Sequence, residues 1–304
     1  MLAITVQTEN GQRHIRVTTQ ELAGLVHRIG EDGDRFLVIQ RIPDLPDVFI
    51  QVWHEAGGDY TLEHRDGGPD QHFQVTVGAP EPVIAAMTGW ALQEHDWGFG
   101  LDWAPLDLGP APAPPPPLDL DDDARGRLVT RLREVLAGGY ATRAQLAELA
   151  EEYLVSGEHR PVSREQAWQL ADRMWLERVE EQAAWTGETD PERLARAFTA
   201  LEQAGITARE DFACCRSCGD AEIGAAGAVD ARGFVYFHSQ CTDAAARGHG
   251  LTLLYGTFDG STATSVGREV VAALQESGLP VEWNGDPLQA ITVTPLDWRR
   301  RLVG

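Results

Sequence analysis

The first third of the chain alternates apolar and polar residues, which predicts β-strands. Residues 2–6 and 14–18 alternate on either side of Asn10-Gly11, a dipeptide typical of tight hairpin turns. Four more short runs of strand character follow, at residues 35–39, 48–53, 60–64 and 72–77. Apolar residues at helical spacing precede and follow these runs, over residues 19–29 and 81–90. We therefore predict that residues 1–108 form an α+β domain with an antiparallel sheet.

A proline-rich run then interrupts the pattern. The segment Gly109-Pro-Ala-Pro-Ala-Pro-Pro-Pro-Pro-Leu118 favours extended polyproline II and cannot sustain a helix or a strand ladder. It predicts a semi-rigid linker over residues 109–120. The remaining residues, 121–304, are then expected to form a second domain.

Amphipathic helices dominate the first part of that second domain. Residues 121–206 contain four segments with apolar residues every three or four positions. Thr142 with Gln145 and Ser163 with Gln166 match the capping-box pattern that opens a helix.

The last part of the chain changes to a mixed pattern. Residues 207–304 contain the cysteine cluster and several further short elements. The runs predict strands at residues 234–238, 251–255, 280–283 and 290–293, with a helix at 266–278. The whole chain is therefore expected to be an α+β protein of two domains, the second a helical segment followed by a mixed α/β sheet.

All four cysteines fall in one short region and suggest a metal site. Cys215 and Cys218 form a C-x-x-C-G turn, in which Gly219 would adopt the positive φ of a zinc knuckle. His238 and Cys241 form an H-x-x-C pair after a predicted strand. Zn²⁺ prefers two such close pairs in a tetrahedral arrangement. The pattern therefore predicts a zinc site made of Cys215, Cys218, His238 and Cys241.

Three other interpretations of these cysteines remain open. They could be reduced, half-buried thiols that act as small hydrophobic residues. Cys218 or Cys215 could be a nucleophile with His238 as its base, although no carboxylate is placed to orient that histidine. A redox pair would require the C-x-x-C at a strand-to-helix turn, whereas the pattern places it after a helix and before a strand, which argues against this role.

Several segments of the C-terminal part carry a family resemblance. They are Trp185-Thr-Gly-Glu-Thr-Asp190, Phe212-Ala-Cys-Cys-Arg-Ser-Cys-Gly219, residues 233–240 and Leu296-Asp-Trp-Arg299. Through them, residues from about 120 to 304 resemble an actinobacterial domain family of unknown function, and the resemblance implies no activity. That family usually has an acidic residue at the position of Cys241. The resemblance therefore implies that Cys241 is incidental or that Cys214 replaces it in the site. The N-terminal part loosely resembles small immunity-type α+β domains.

Charge and composition restrict the function classes. A formal net charge of −22 argues against nucleic acid or an anionic membrane as a partner, because both require a basic surface. No apolar run reaches the roughly 18 residues of a membrane span, and the first residues read as a strand and not as a signal peptide. We therefore expect a cytoplasmic protein. Its basic residues are all arginine, as is typical of a GC-rich, actinobacterial-type genome.

These observations favour a non-enzymatic role in protein–protein recognition. The expected partner is a basic protein covered by the acidic surface, as in immunity or antitoxin factors. The alternative is a thiol- or zinc-dependent enzyme that uses the cysteine–histidine cluster.

Overall fold

The structure, a computed structural model, describes residues 1–110, 113–260 and 262–303. Two β-sheets, each with helices packed against it, give the α+β fold that the sequence predicts. The domain limits at residues 108 and 121 stay predictions. Within the described ranges, no helix is both long enough and apolar enough to cross a membrane.

The N-terminal sheet is antiparallel throughout, as predicted. Its strands are β1 (Ile4–Thr8), β2 (Arg13–Ile15), β3 (Phe36–Arg41), β4 (Val48–His54), β5 (Tyr60–Asp66), β6 (His72–Val77) and β7 (Ala104–Pro105), in the order β2-β1-β3-β4-β5-β6-β7. The predicted hairpin is present, with Gly11 at a φ of 81° between β1 and β2. Helices α1 (Thr19–Arg28) and α2 (Pro80–Leu92) contribute to the apolar core against one face of this sheet.

Four helices follow, at the positions predicted from apolar spacing. They are α3 (Asp122–Gly138), α4 (Arg143–Glu152), α5 (Arg164–Ala183) and α6 (Asp190–Gln203). Both predicted capping boxes are formed, by Thr142 with Gln145 and by Ser163 with Gln166. The helices α3, α4 and α5 share a core in which Leu128, Leu132 and Trp175 are fully buried.

The end of the proline-rich segment is fixed to these helices. Gln166 donates hydrogen bonds to the carbonyls of Pro116 (2.9 Å) and Pro117 (3.2 Å). Leu118 and Leu120 pack against the helical core. The predicted linker is therefore anchored over its last residues, while residues 111 and 112 lie outside the described part of the chain.

A half-buried arginine, Arg143, connects the N-terminal sheet to the helices. Asp44, in the loop after β3, accepts a hydrogen bond from Arg143 Nε at 2.7 Å and from the side chain of Gln40 at 2.8 Å. Arg143 also pairs with Asp172 at 2.6 Å, and Trp175 Nε1 donates to the carbonyl of Asp44 at 2.6 Å. Each of these polar groups has a partner, as burial requires.

The second sheet is mixed, as predicted. Its strands are β8 (Ile206–Arg209), β9 (Gly233–Tyr236), β10 (Leu251–Thr257), β11 (Val281–Glu282) and β12 (Ile291–Val293), in the order β11-β12-β10-β9-β8. Strands β8 and β9 are parallel, and the other pairs are antiparallel. Three helices accompany the strands: α7 (Arg216–Ala226), α8 (Ser239–Ala246) and α9 (Thr264–Glu276).

The prediction that the C-x-x-C pair follows a helix and precedes a strand is wrong. Strand β8 lies between α6 and the cysteines, and α7 begins at the cysteines themselves. Only Gly219 and Ile223 are buried in α7, so this helix has no apolar stripe by which periodicity could reveal it. Its position follows from topology, because two parallel strands need a crossover of a dozen or more residues.

Candidate metal and thiol site

The cysteines lie where the parallel strands β8 and β9 end. Helix α7 follows β8 and helix α8 follows β9, so both helices begin at the same edge of the sheet. Ser239 ties the two helix starts together. Its N–H donates to the carbonyl of Ala213 (3.2 Å), and its hydroxyl donates to the carbonyl of Cys214 (3.1 Å). The carboxyl edge of parallel strands is the usual place for a binding site in such sheets.

A sharply turned loop delivers the cysteines to this edge. Asp211 and Ala213 both adopt left-handed backbone angles, with φ of 47° and 64°. Residues other than glycine rarely adopt this conformation unless the surrounding structure imposes it. Here the N–H of Phe212 is held at 2.7 Å from the carbonyl of Phe237, which fixes the loop against the end of β9.

The thiols of Cys214, Cys215 and Cys218 form one cluster. Their sulfur atoms all lie within 4.8 Å of one another, and the sulfurs of Cys214 and Cys218 are 3.5 Å apart. Cys215 is the N-cap of α7, and Cys218 lies in its first turn. Cys214 is exposed and the other two are half-buried. In the described ranges this is the group of histidine, cysteine and acidic residues close enough to hold a metal ion.

The surroundings of the helix terminus shift the pKa values of Cys215 and Cys218 in opposite directions. The pKa of Cys215 is lowered, first by the backbone N–H of Cys218 and then by hydrogen bonds from the thiols of Cys218 and Cys214. Hydrogen bonds with the thiols of Cys214 and then Cys215 raise the pKa of Cys218 to about 11. A thiolate is favoured at a helix N-terminus because of the exposed amides and the helix dipole. Cys215 thus carries a negative charge more readily than Cys218 does.

His238 and Cys241 form a separate pair. His238 is the N-cap of α8, and its Nε2 lies 3.4 Å from the sulfur of Cys241. Burial lowers the pKa of His238 and raises the pKa of Cys241, which favours the neutral form of both. Cys241 is only 7% exposed and packs in the core of the second sheet. A buried thiol of this kind is a poor nucleophile.

The structure therefore separates the four predicted zinc ligands into two groups. Cys215 and Cys218 are together, as predicted, and Cys214 joins them. His238 and Cys241 do not belong to that three-thiol group. The structure also pairs His238 with Cys241, and not with either of the cysteines for which it was the candidate base. The sequence analysis had considered Cys214 as a ligand only in place of Cys241.

Gly219 has a different role from the one predicted. It lies inside α7 and is not among the glycines with positive φ. A Cβ atom at this position would clash with the ring of Tyr236, which is fully buried. The glycine therefore allows the cysteine-bearing helix to approach the sheet closely.

Comparison with known proteins gives a family but no function. Residues 121–302 match a family model described as a domain of unknown function (DUF6891). This match confirms the predicted resemblance of the C-terminal part to a domain of unknown function. The actinobacterial origin stays a prediction. Neither the curated proteins nor the solved structures contain a match to this chain.

Proposed function

The chain belongs to this family of domains of unknown function, and from its geometry we propose that the C-terminal domain binds Zn²⁺ through Cys214, Cys215 and Cys218. The observation that carries the proposal is the mutual approach of three accessible sulfurs within 4.8 Å. Zinc–thiolate bonds of about 2.3 Å in a tetrahedron place sulfurs about 3.8 Å apart, so only small movements are needed. The N-terminus of α7 also favours the negative charge of the thiolates.

Of the predicted ligands outside the three-thiol group, we choose His238 for the fourth position of the tetrahedron, which its imidazole would reach by turning away from Cys241. This residue begins α8, and the adjacent Ser239 binds the loop of Cys214 through both its main chain and its side chain. Cys241 is left out because it is packed in the core. The proposed ligand set is then three sulfurs and one imidazole, a combination common in structural zinc sites.

Elemental analysis and competition with a chromophoric chelator test the zinc site. We expect one Zn²⁺ per chain in the native protein, with zinc lost from Cys215→Ser and Cys218→Ser. The His238→Ala variant should keep the ion but release it more readily to the chelator. Cys241→Ala is the matched control and should retain zinc as the native protein does. A native protein that takes up no zinc after reduction would refute the site.

We also propose that the protein acts by recognising a basic protein and not by catalysis. The net charge of −22 supports a basic partner. The proposed docking surface is the face of the N-terminal sheet that carries Phe36, Val38 and Trp53. Trp53 is 41% exposed there, beside a cavity of about 360 Å³ that Glu63 also lines. Exposed aromatic residues of this kind are frequent anchors of protein interfaces.

Trp53 provides the test of this surface. Binding to basic proteins encoded beside the gene would be measured by calorimetry with purified components. If Trp53 is an anchor, Trp53→Ala should weaken binding by about 2 kcal/mol, or roughly 30-fold in Kd. Leu288→Ala is a suitable control because Leu288 is 88% exposed and lies in the C-terminal domain. Equal binding by both variants, or no binding by the native protein, would reject the proposal.

A further inference from the structure

The thiol cluster has the placement that a redox-active pair requires. The cysteines follow strand β8 and begin helix α7, which is a strand-to-helix turn. The sequence pattern argued against a redox role because it placed the cysteines after a helix and before a strand, and the structure removes that objection. The cluster is also open to a reaction partner, since Cys214 is exposed.

We propose that Cys214 and Cys218 form a reversible disulfide by exchange with a low-molecular-weight disulfide. This activity goes beyond metal binding and does not depend on it. The reacting pair is the outer pair of the C-C-x-x-C segment and not the C-x-x-C motif itself. A disulfide of the glutathione class, small enough to reach the exposed sulfur of Cys214, is the chemical class of substrate.

The contact between the sulfurs of Cys214 and Cys218 supports the choice of this pair. The sulfurs of Cys214 and Cys218 are already 3.5 Å apart, and a disulfide bond needs about 2.05 Å. Cys214 lies in the loop before the helix, next to Ala213 with its left-handed backbone. Cys215 is held as the helix N-cap. Cys241 is excluded because it is buried against His238.

The exchange consists of two balanced steps. The Cys214 thiol loses its proton to solvent and attacks one sulfur of the small disulfide, which forms a mixed disulfide and releases one small thiolate. The Cys218 thiol then loses its proton and attacks the sulfur of Cys214, which closes the protein disulfide and releases the second small thiolate. The small disulfide gains two electrons, and the two cysteines lose two. Closure removes two of the three thiolates proposed to hold zinc.

The test uses zinc-free, fully reduced protein and oxidised glutathione as the probe. Free thiols are counted after denaturation, and the intact mass is measured. The four thiols of the native protein should fall to two, with a mass lower by two hydrogen atoms, and dithiothreitol should restore all four. Cys215→Ser should still close the disulfide and keep one free thiol. Cys218→Ser should accumulate a mixed disulfide with glutathione at Cys214.

Two outcomes would overturn the proposal. The first is closure in Cys214→Ser but not in Cys215→Ser, which would assign the bond to the C-x-x-C motif. The second is a native protein that keeps four thiols in a buffer that oxidises a reference dithiol. Because the protein contains no zinc in this experiment, neither outcome bears on the proposed metal site. Peptide mapping should also find Cys241 reduced in every variant.

Discussion

Replacing Arg143 by alanine is expected to lower the free energy of unfolding by about 3–5 kcal/mol, because the change leaves a buried carboxylate without its counter-charge. The side chains of Arg143 and Asp44 are 13% and 7% exposed, so solvent can replace little of the lost interaction. The same arginine holds Asp172 on α5, and Asp44 lies in the loop after β3 of the N-terminal sheet. The variant should therefore also loosen the attachment of the N-terminal sheet to the helices.

The loss of stability in Arg143→Ala should depend on pH. Burial raises the pKa of Asp44 in the folded protein and outweighs the opposing effect of Arg143. Without the arginine this pKa rises further. A carboxyl group whose pKa is higher in the folded state binds more protons there, so stability increases as pH falls through that pKa. The deficit of the variant relative to the native protein should therefore shrink in mild acid.

Urea unfolding at neutral and mildly acidic pH measures both effects. Arg173→Ala is the matched control, because Arg173 is an exposed arginine on α5, the helix that also carries Asp172. It should change the free energy of unfolding by no more than about 0.5 kcal/mol. If both variants were equally stable, the buried ion pair would have no role in attaching the sheet. A deficit that did not change with pH would show that Asp44 is not the responsible group.

Replacing Gly219 by alanine should destabilise the C-terminal domain by about 1–3 kcal/mol, the usual cost of overpacking. The new Cβ would clash with the ring of Tyr236, which is fully buried and whose hydroxyl donates hydrogen bonds to Asp220 and to the carbonyl of Arg216. Helix α7 must then shift, and it carries Cys215 and Cys218. We therefore expect weaker zinc binding in the same variant.

Gly224 offers a control within the same helix. A Cβ added at Gly224 meets nothing within 4 Å, so Gly224→Ala should be neutral or should stabilise by up to about 1 kcal/mol through helix propensity. Thermal unfolding of both variants, with chelator competition for zinc, separates the two effects. If Gly219→Ala were as stable as Gly224→Ala, close packing against Tyr236 would not be the reason for the glycine.

Local patterns in the sequence were sufficient for most of the secondary structure. The Asn10-Gly11 hairpin and the capping boxes at Thr142 and Ser163 follow from interactions between residues close in sequence. Helix α7 was not predicted because its own residues show no amphipathic period. It is required only by the topology of the sheet, as the crossover between the parallel strands β8 and β9. Helix α8, of eight residues, is too short for a clear period.

The candidate site shows the same division between sequence and tertiary structure. The sequence by itself determined the residue types: a C-C-x-x-C-G segment followed by H-x-x-C, in a chain of acidic composition. Only the tertiary structure decided which of these side chains meet, because parallel pairing of β8 and β9 and the left-handed turn before Cys214 bring three thiols to one helix end and leave His238 beside Cys241. The pairing of Arg143 with Asp44 likewise joins residues 99 positions apart. Such contacts depend on the packing of whole elements, which no local pattern contains.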